Sequence, residues 1–317
     1  MSASVEAAVG KRAPTVAAGH PGRPRARLAA TASRWLFIAP AVAYVAVFFG
    51  YPVVKNIVMS FQDYTTRTFF TGEAPWVGFA NYAATFRSSL FTTTVVNTAL
   101  FTIGSIVAQF LIGLGLALFF RRHFPLSGFL RGLLLLPWLL PLIASSAVWK
   151  WILDQDSGAL NQLLGLFGTP PVPWLVSPDL ALIAVIGVNI WLGIPFNTTI
   201  LYSGLQSVPQ ELYEAAALDG AVGARAFRYI TWPSIRSVVS VVIVLGVVYT
   251  LKVVDIILGL TGGGPANSTQ TLATNAYHQS FVNFQFGQGA AVSNVLIVVS
   301  FVFAVVYISI SRKAVDE

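Results

Sequence analysis

The sequence predicts an all-α, polytopic membrane protein with six transmembrane helices. Hydrophobic residues make up 56% of the 317 positions and charged residues only 10%, and the mean hydropathy is +0.72. Soluble domains usually carry about 25% charged residues, so the chain is too apolar to be one. Its apolar residues fall into six runs, each close to the roughly 20 residues that a spanning helix needs. The lack of cysteine excludes disulfides, thiolate metal sites and cysteine nucleophiles.

Each apolar run fits a membrane helix for its own reason. The first is too long for the apolar part of a signal peptide and no small-residue cleavage site follows it, so we expect it to be retained. The second is long enough to tilt or to protrude, and its small residues favour close packing. Prolines in the first, third and fourth runs are tolerated where neighbouring helices satisfy the freed carbonyls. The six runs are Trp35–Val54, Thr92–Phe120, Phe129–Val148, Leu180–Tyr202, Ile235–Leu258 and Gln288–Ser311.

Lys and Arg predict the orientation, because cytoplasmic loops carry an excess of them. Six precede the first run, in the Ala/Pro/Arg-rich segment 1–34 that we expect to be disordered. Others follow the second run, lie in the loop 204–236 or lie at the C-terminus, whereas the loops near 152–179 and 259–287 have none. We therefore expect a domain over 35–313 in the cell membrane, with both termini, including the tail 314–317, in the cytoplasm. The net charge of +7 then needs no nucleic acid partner.

A polar, helix-forming segment, residues 207–233, interrupts the apolar half of the chain. Ser207 and Gln210 have capping-box spacing, and Pro209 suits a first helical turn. Gly220, after Asp219, is a typical helix stop because glycine adopts a positive φ freely. We call this segment the finger.

The rest of the finger predicts a second short helix and a docking face. The pattern over 223–231 is helical and is expected to end before Pro233, since the residue preceding proline disfavours the α region. Small residues in the first helix would let another protein approach closely, with acidic residues on either side. A solvated helix that contacts nothing is the alternative. The residues expected at the docking face are Glu214, Ala215, Ala216, Asp219 and Gly220.

The finger resembles the EAA signature of integral membrane permeases in ATP-binding-cassette importers. "EAA" at 214–216 is followed by Gly220, Ile230 and Pro233 in the family's spacing. "WLGIPFN" at 191–197 and "LTGGGP" at 260–265 resemble the carbohydrate-uptake branch, in the form of its first permease. The resemblance covers about residues 35–313.

This resemblance implies a MetI-like importer permease fold and a set of partners. The EAA helix would be a coupling helix that inserts into a cytoplasmic ATPase, within a coupling loop over 204–234. The partners would be a second permease, two ATPase subunits, an extracytoplasmic solute-binding protein and a sugar-like solute. ATP and Mg²⁺ would bind the ATPase, and this chain would bind no cofactor. The sequence agrees, because it contains no G-x-x-x-x-G-K-[ST] phosphate-binding loop.

Polar groups inside spans are costly and mark transport pathways. The fourth run offers Asn189 and Asn197 near an expected helix break at Pro195. In the fifth, Lys252 and Asp255 are three residues apart, which predicts one helix face on which they could pair. That pair would be either structural, near the outer boundary, or solute-binding.

The family resemblance adds solute-contacting positions in the same two spans. Phe196 and Tyr249 could equally serve helix packing, and the residues leave the identity of the sugar open. Carried over position by position, the resemblance indicates Leu192, Gly193, Phe196, Gly246, Tyr249, Thr250 and Val253.

Two other classes of protein fit the sequence less well. An ion-coupled secondary carrier needs buried ionisable groups, and only Lys252 and Asp255 are candidates. An intramembrane enzyme has no support, since the sequence shows no Ser/His pair, paired aspartates or metal cluster. We therefore expect a transport subunit that is not an enzyme, and we expect the aromatic segments 55–91 and 259–287 to dock the solute-binding protein.

Overall fold

The computed structural model describes residues 37–122 and 124–316. These residues form helices and no strand, with isolated bridges only between Gln62 and Trp76 and between Thr65 and Gln285. The segment 1–34, expected to be disordered, and Trp35, the expected start of the first span, lie outside the described residues. The predicted tail 314–317 continues the last helix as far as Asp316.

We number the helical segments in chain order. They are α1 (Phe37–Ser60), α2 (Thr66–Thr71), α3 (Ala80–Arg87), α4 (Ser89–Phe120), α5 (Ser127–Leu139), α6 (Leu142–Ile152), α7 (Ala159–Gly165), α8 (Pro178–Gln206), α9 (Gln210–Leu218), α10 (Ala224–Leu251), α11 (Asp255–Leu260), α12 (Leu272–Tyr277) and α13 (Phe286–Asp316).

The chain divides into two units at Val54. The described part of the first unit is the N-terminal portion of α1, whose large apolar side chains are exposed. Its aromatic rings contact one another, with the Tyr44 and Phe48 centroids 4.7 Å apart. The second unit holds the remaining helices. Among the described residues, α1, α4, α8, α10 and α13 are each long and apolar enough to cross a membrane.

The third predicted span is not one straight helix. The prediction of an uninterrupted helix over Phe129–Val148 is wrong, because α5 and α6 meet at an angle of 98°. Leu140 and Pro141 lie at the break in extended conformation, with ψ of 138° and 134°. Proline cannot donate a helical hydrogen bond and pushes the preceding residue out of the α region. Taken together, the two helices are long and apolar enough to count as a sixth span.

The fifth predicted span is also interrupted. The prediction of a single helix over Ile235–Leu258 is wrong at both ends, since α10 begins at Ala224 and ends at Leu251. Lys252 caps α10, and α11 begins at Asp255. The break therefore falls inside the apolar run that hydropathy alone reads as continuous.

Two wide turns let helices continue through proline. The prediction that the second finger helix ends before Pro233 is wrong, because a π-helical turn at Phe227–Thr231 leads directly into the rest of α10. The Trp232 N–H donates to the carbonyl of Phe227, one residue further back than in an α-helix. A turn of the same kind at Ala46–Gly50 precedes Pro52 in α1. The wider turn displaces the carbonyl that a proline ring would otherwise contact.

Side-chain contacts show how the long helices run. Gln109 contacts the backbone of Asn189, and Gly113 of α4 lies against Asn197 of α8, so α4 and α8 are parallel. Gly204 near the end of α8 lies against Val238 near the start of α10, so these two are antiparallel. Because α4 and α8 run in the same direction, the chain must return between them from the end of α4 to the end at which α8 begins. The bent α5–α6 pair makes this return.

Two buried apolar clusters hold these helices together. One joins α4 and α8 to α11 through Phe101, Val185 and Ile257. The other joins α4, α8 and α10 near the finger through Ala117, Leu201 and Ile235. The finger therefore lies at one end of the packed helices, and the glycine-rich loop after α11 lies at the other.

The close approach of α4 to α8 can be tested at Gly113. A β-carbon there would lie 2.7 Å from the Asn197 β-carbon and 3.2 Å from the Thr198 backbone nitrogen. We expect Gly113→Ala to lower the free energy of unfolding by about 1–3 kcal/mol, because the helices must move apart. Thermal unfolding of the purified chain in detergent measures the change.

Gly115→Ala is the matched control, since it makes the same change two residues further along α4 where nothing lies within 4 Å. We expect the control to leave the midpoint unchanged or to raise it slightly, because alanine favours helix. Equal shifts for the two variants would contradict the close α4–α8 contact.

Candidate functional site

A cavity of about 580 Å³, which we call the span cavity, opens between α8, α10 and the bent α5–α6 pair. Trp138 of α5 and Leu142 of α6, on either side of the α5–α6 break, both line it. Most of the residues predicted for a solute pathway meet here. Those that line the cavity are Leu192, Gly193, Phe196, Gly246, Tyr249, Thr250, Lys252, Val253 and Asp255.

Asn197 is the predicted pathway residue that does not line the cavity. It is only 4% exposed, and its side-chain amide donates to the carbonyl of Gly193 at 2.9 Å. Its side chain also packs against Gly113 of α4. Asn197 therefore supports the α8 backbone beside the cavity.

Gln109 of α4 is a cavity residue that the sequence reasoning overlooked. Its amide Nε2 donates to the carbonyl of Asn189 at 2.8 Å, and the amide lies directly on Gly193, where any β-carbon would collide with it. The amide nitrogen of Asn189 is buried without a partner and also faces this region. A glutamine in the middle of an apolar span is itself the signal that could have identified it.

Aromatic rings form one wall of the span cavity. The Phe196 ring lies 6.2 Å from both the Trp138 and Tyr249 rings, measured between centroids. The Lys252 ammonium lies over the Tyr249 ring, 4.6 Å from its centroid, in cation–π geometry. Tyr249 is 53% exposed, so much of its surface is open to a ligand.

The spacing of Lys252 and Asp255 predicts that they share one helix face, and the structure shows that they do not. The helix ends at Leu251, so the three-residue spacing no longer brings the side chains together. Within the described residues, neither side chain forms an ion pair or a hydrogen bond. Conversely, the expected break at Pro195 is absent, because α8 continues through it from Pro178 to Gln206.

The span cavity combines two kinds of recognition surface. The rings of Phe196 and Tyr249 offer apolar faces, and the amides of Gln109 and Asn189 offer hydrogen-bonding groups. The side chains of Lys252 and Asp255 contribute one charge of each sign. This mixture suits a ligand with apolar ring faces and hydroxyl groups and without strong net charge.

The finger begins differently from its predicted start. The prediction of a capping box formed by Ser207 and Gln210 is wrong, because Pro209 is the N-cap residue and makes no side-chain hydrogen bond. The Ser207 hydroxyl instead donates to the carbonyl of Gly204 at 2.8 Å and closes the end of α8. A serine after a helix can serve the preceding helix as well as the following one.

The end of α9 agrees with its prediction. Gly220 has φ of +73°, in the left-handed region. The Gly220 N–H donates to the carbonyl of Ala217 at 3.1 Å, and the Ala221 N–H donates to that of Ala216 at 2.8 Å. These two bonds form a Schellman motif, which satisfies the last carbonyls of the helix and stops it sharply.

Three contacts fix α9 to the rest of the chain. The Tyr213 hydroxyl is 2.9 Å from the Thr231 hydroxyl, inside the π-helical turn of α10. The guanidinium of Arg121, just after α4, lies 4.1 Å from the centroid of the Tyr213 ring. Ala216 is 8% exposed, so this member of the predicted docking face is turned toward its own chain.

The outer surface of the finger is exposed and partly apolar. Glu214, Ala215, Asp219 and Gly220 are exposed as predicted. The Leu218 side chain is 91% exposed, which the sequence reasoning did not anticipate. Leu212 and Val222 of the finger are also exposed, at 46% and 62%, so the segment presents several apolar side chains rather than a single one.

Known proteins resemble this chain along most of its length. Residues 109–315 match the family model described as the binding-protein-dependent transport system inner membrane component. The trehalose/maltose transport system permease protein of Thermococcus litoralis is 34% identical, and the match covers 88% of this chain and 93% of that protein. The sulfoquinovosyl glycerol transport system permease protein of Agrobacterium fabrum is 34% identical, with 87% and 89% covered.

A third relative and a solved structure extend the comparison. The diacetylchitobiose uptake system permease protein of Streptomyces coelicolor is 29% identical, with 94% of this chain and 93% of that protein covered. A chain in the crystal structure of a bacterial transporter that imports the acidic polysaccharide alginate superposes with a TM-score of 0.79 at 23% identity. That superposition covers 90% of this chain and 99% of the other. It confirms the predicted all-α membrane fold.

Thiol labelling tests whether the span cavity admits water. The chain has no native cysteine, so a single substitution gives a single thiol. We expect Val253→Cys, at the cavity wall, to react with a membrane-impermeant thiol reagent, because a thiol must ionise in water to react. Ile257→Cys, four residues further on and fully buried, is the control and should stay unlabelled. Equal labelling rates would contradict a water-accessible cavity at Val253.

Proposed function

Because this chain belongs to the family of binding-protein-dependent transport system inner membrane components, we propose that it forms half of the pathway of an ATP-driven importer for a sugar-like solute. The observation that carries the proposal is the span cavity. It brings together, from α8, α10 and α11, all the expected pathway residues except Asn197. The chain itself is a transport subunit and not an enzyme.

The chemistry of the cavity supports a neutral saccharide as the solute. The rings of Phe196 and Tyr249 suit the apolar faces of sugar rings, and the Gln109 and Asn189 amides suit hydroxyl groups. The names of the relatives support a saccharide or glycoside, since they refer to trehalose and maltose, sulfoquinovosyl glycerol and diacetylchitobiose. Of these, sulfoquinovosyl glycerol is anionic because it carries a sulfonate, so the preference for a neutral solute rests on the cavity. The single charges of Lys252 and Asp255 offset each other, which disfavours a strongly anionic solute.

In this proposal the finger couples transport to a cytoplasmic ATPase. Since the sequence has no phosphate-binding loop of the G-x-x-x-x-G-K-[ST] type, ATP and Mg²⁺ would bind the partner. Leu218 and Ala215 would enter a cleft on that subunit, with Glu214 and Asp219 contacting its polar rim. The Tyr213–Thr231 contact would pass the movement of α9 directly to α10.

The same proposal gives the finger end a cytoplasmic location and the chain three kinds of partner. Arg121 lies against the finger, and the arginines near it in sequence belong to the basic loops expected on the cytoplasmic side. Both termini would share that side. The partners would be a second permease that completes the pathway, two ATPase subunits and an extracytoplasmic solute-binding protein. A solved alginate transporter in complex with its periplasmic protein supports the last of these.

Uptake into liposomes tests the proposed function. The chain is reconstituted with its partner permease, ATPase subunits and binding protein, and the probes are trehalose, maltose and diacetylchitobiose. We expect uptake of at least one probe that requires hydrolysable ATP and survives a protonophore. An ion-coupled carrier, the alternative that Lys252 and Asp255 suggest, would keep uptake without ATP, and a proton-coupled one would also lose it with the protonophore.

Two finger variants test the coupling role. Glu214→Lys reverses a charge on the exposed face, and Gly220→Pro forces φ to about −65° where the Schellman motif needs a positive value. We expect each to lower binding-protein-stimulated ATP hydrolysis more than about fivefold, which corresponds to the roughly 1 kcal/mol that an important interface residue contributes, with the chain still inserted in the membrane.

Each variant has a matched control. Asp156→Lys reverses an acidic charge in the exposed loop after α6, outside the segments expected to dock the binding protein, and Gly220→Asn introduces a residue that tolerates the left-handed region. Both controls should keep nearly wild-type ATPase stimulation. Wild-type uptake by Glu214→Lys and Gly220→Pro would show that the finger does not couple transport to ATP.

A further inference from the structure

A second cavity, of about 430 Å³, lies at the other end of α11 from the span cavity. Asp255 and Ile256, at the start of α11, line the span cavity, whereas Thr261–Gly264, just after its end, line the second one. The two cavities share no lining residue. We call the second one the loop cavity, since the glycine-rich loop Thr261–Thr271 forms one of its walls.

Hydrogen bonds hold the glycine-rich loop in place. The Asn97 side-chain amide of α4 donates to the carbonyls of Asn267 and Gln270, at 3.2 Å and 3.0 Å. The Thr261 and Thr269 hydroxyls are 2.7 Å apart across the loop. The wall of the cavity is therefore formed before any ligand arrives, which lowers the entropic cost of binding.

Two side-chain amides that line the loop cavity make no hydrogen bond in the described part of the chain, and the oxygen of one of them is fully buried. Gln270 and Asn275 are each 5% exposed, and both line the cavity. The Asn275 Oδ1 is buried without any hydrogen bond, and the side chain of Gln270 makes none. More than nine in ten buried polar groups in native proteins are hydrogen-bonded, so the unpaired Asn275 Oδ1 at a cavity wall points to a ligand as its partner.

The remaining polar groups define the kind of ligand. His278 lies with its Nε2 3.2 Å from the carbonyl of Gly262, and the Asn283 amide donates to the Gln279 side chain at 3.1 Å. Among the residues that the structure describes, no lysine, arginine, aspartate or glutamate lines the cavity. Amides present donors and acceptors side by side, as hydroxyl groups do, so the cavity matches a neutral and hydroxyl-rich molecule.

We propose that the loop cavity is a second saccharide-binding site, separate from the span cavity and at the end of the chain opposite the finger. Gln270 and Asn275 supply the buried hydrogen bonds, and Gln279 and Asn283 lie at the accessible rim. Its volume lies within the range of small-molecule sites, roughly 300–1,000 Å³. The identity of the ligand rests on the proposed function, because the solute of the importer is the saccharide expected to reach this end.

Thiol protection tests this site in the assembled importer. Asn283→Cys places the single thiol of the chain at the exposed rim. We expect trehalose, maltose or diacetylchitobiose to slow its modification by a water-soluble thiol reagent in a saturable manner, with no effect of sodium glutamate at equal osmolarity. The concentration for half protection gives the affinity.

Two further substitutions in the Asn283→Cys chain address the buried amides. Asn275→Leu and Gln270→Met keep side-chain size and remove hydrogen bonds, and each should weaken protection about two- to tenfold, the effect of one hydrogen bond. Because they lie on different segments, one remains informative if the other fails to assemble. Gln206→Met, at the finger end, is the control and should leave protection unchanged.

The outcomes separate this proposal from the proposed function. Protection by none of the three saccharides, or equal protection in all variants, would overturn the second site even if uptake is normal. Protection by the solute-free binding protein alone would overturn it in favour of a protein contact at the cavity. Saccharide protection without ATP-dependent uptake would support the site and contradict the importer function.

Discussion

Inside a bilayer every backbone N–H and C=O must find its hydrogen-bond partner within the protein, and the rest of this structure follows from that constraint. Long helices meet it for most of the chain. In the described residues the two spans that are interrupted, at Leu140–Pro141 and at Lys252–Val254, both border the span cavity. Irregular backbone is tolerated at membrane depth only where it faces protein or a polar space. The span cavity therefore explains why the helices can be interrupted at these two places.

Close glycine contacts keep the walls of that cavity near each other. Gly193 lies against the Gln109 amide, Gly246 against Ile106 and Gly259 against Ser146, in each case too close for a β-carbon. Without side chains at these positions the backbones of neighbouring helices approach directly, as is common in membrane bundles. The space for a ligand thus lies between rigid surfaces, and α11, itself buried, separates the two cavities at a fixed distance.

Hydropathy predicted the apolar spans and the polar, helix-forming segment 207–233 predicted the finger, because both are local signals. Most of the cavity residues were predicted by the resemblance of "WLGIPFN" and "LTGGGP" to the carbohydrate-uptake branch. Sequence reasoning failed where a local pattern depends on whether a helix continues. The spacing of Lys252 and Asp255 indicates a shared face only in an unbroken helix, and α10 ends between them. Pro233 predicts a helix end, yet α10 continues past this residue because a π-helical turn precedes it. Gln109 was overlooked because its role depends on Gly193, 84 positions away in a different helix.

The π-helical turn at Phe227–Thr231 has a mechanical consequence. The Tyr213 hydroxyl bonds to Thr231 inside this turn, and Pro233 removes one backbone bond just beyond it. The backbone hydrogen bonding of α10 is thus irregular at the point where α9 is attached. A sideways push on α9 would be converted there into rotation about the α10 axis. That rotation would reach Tyr249, about 27 Å along the helix, and swing its ring relative to Phe196.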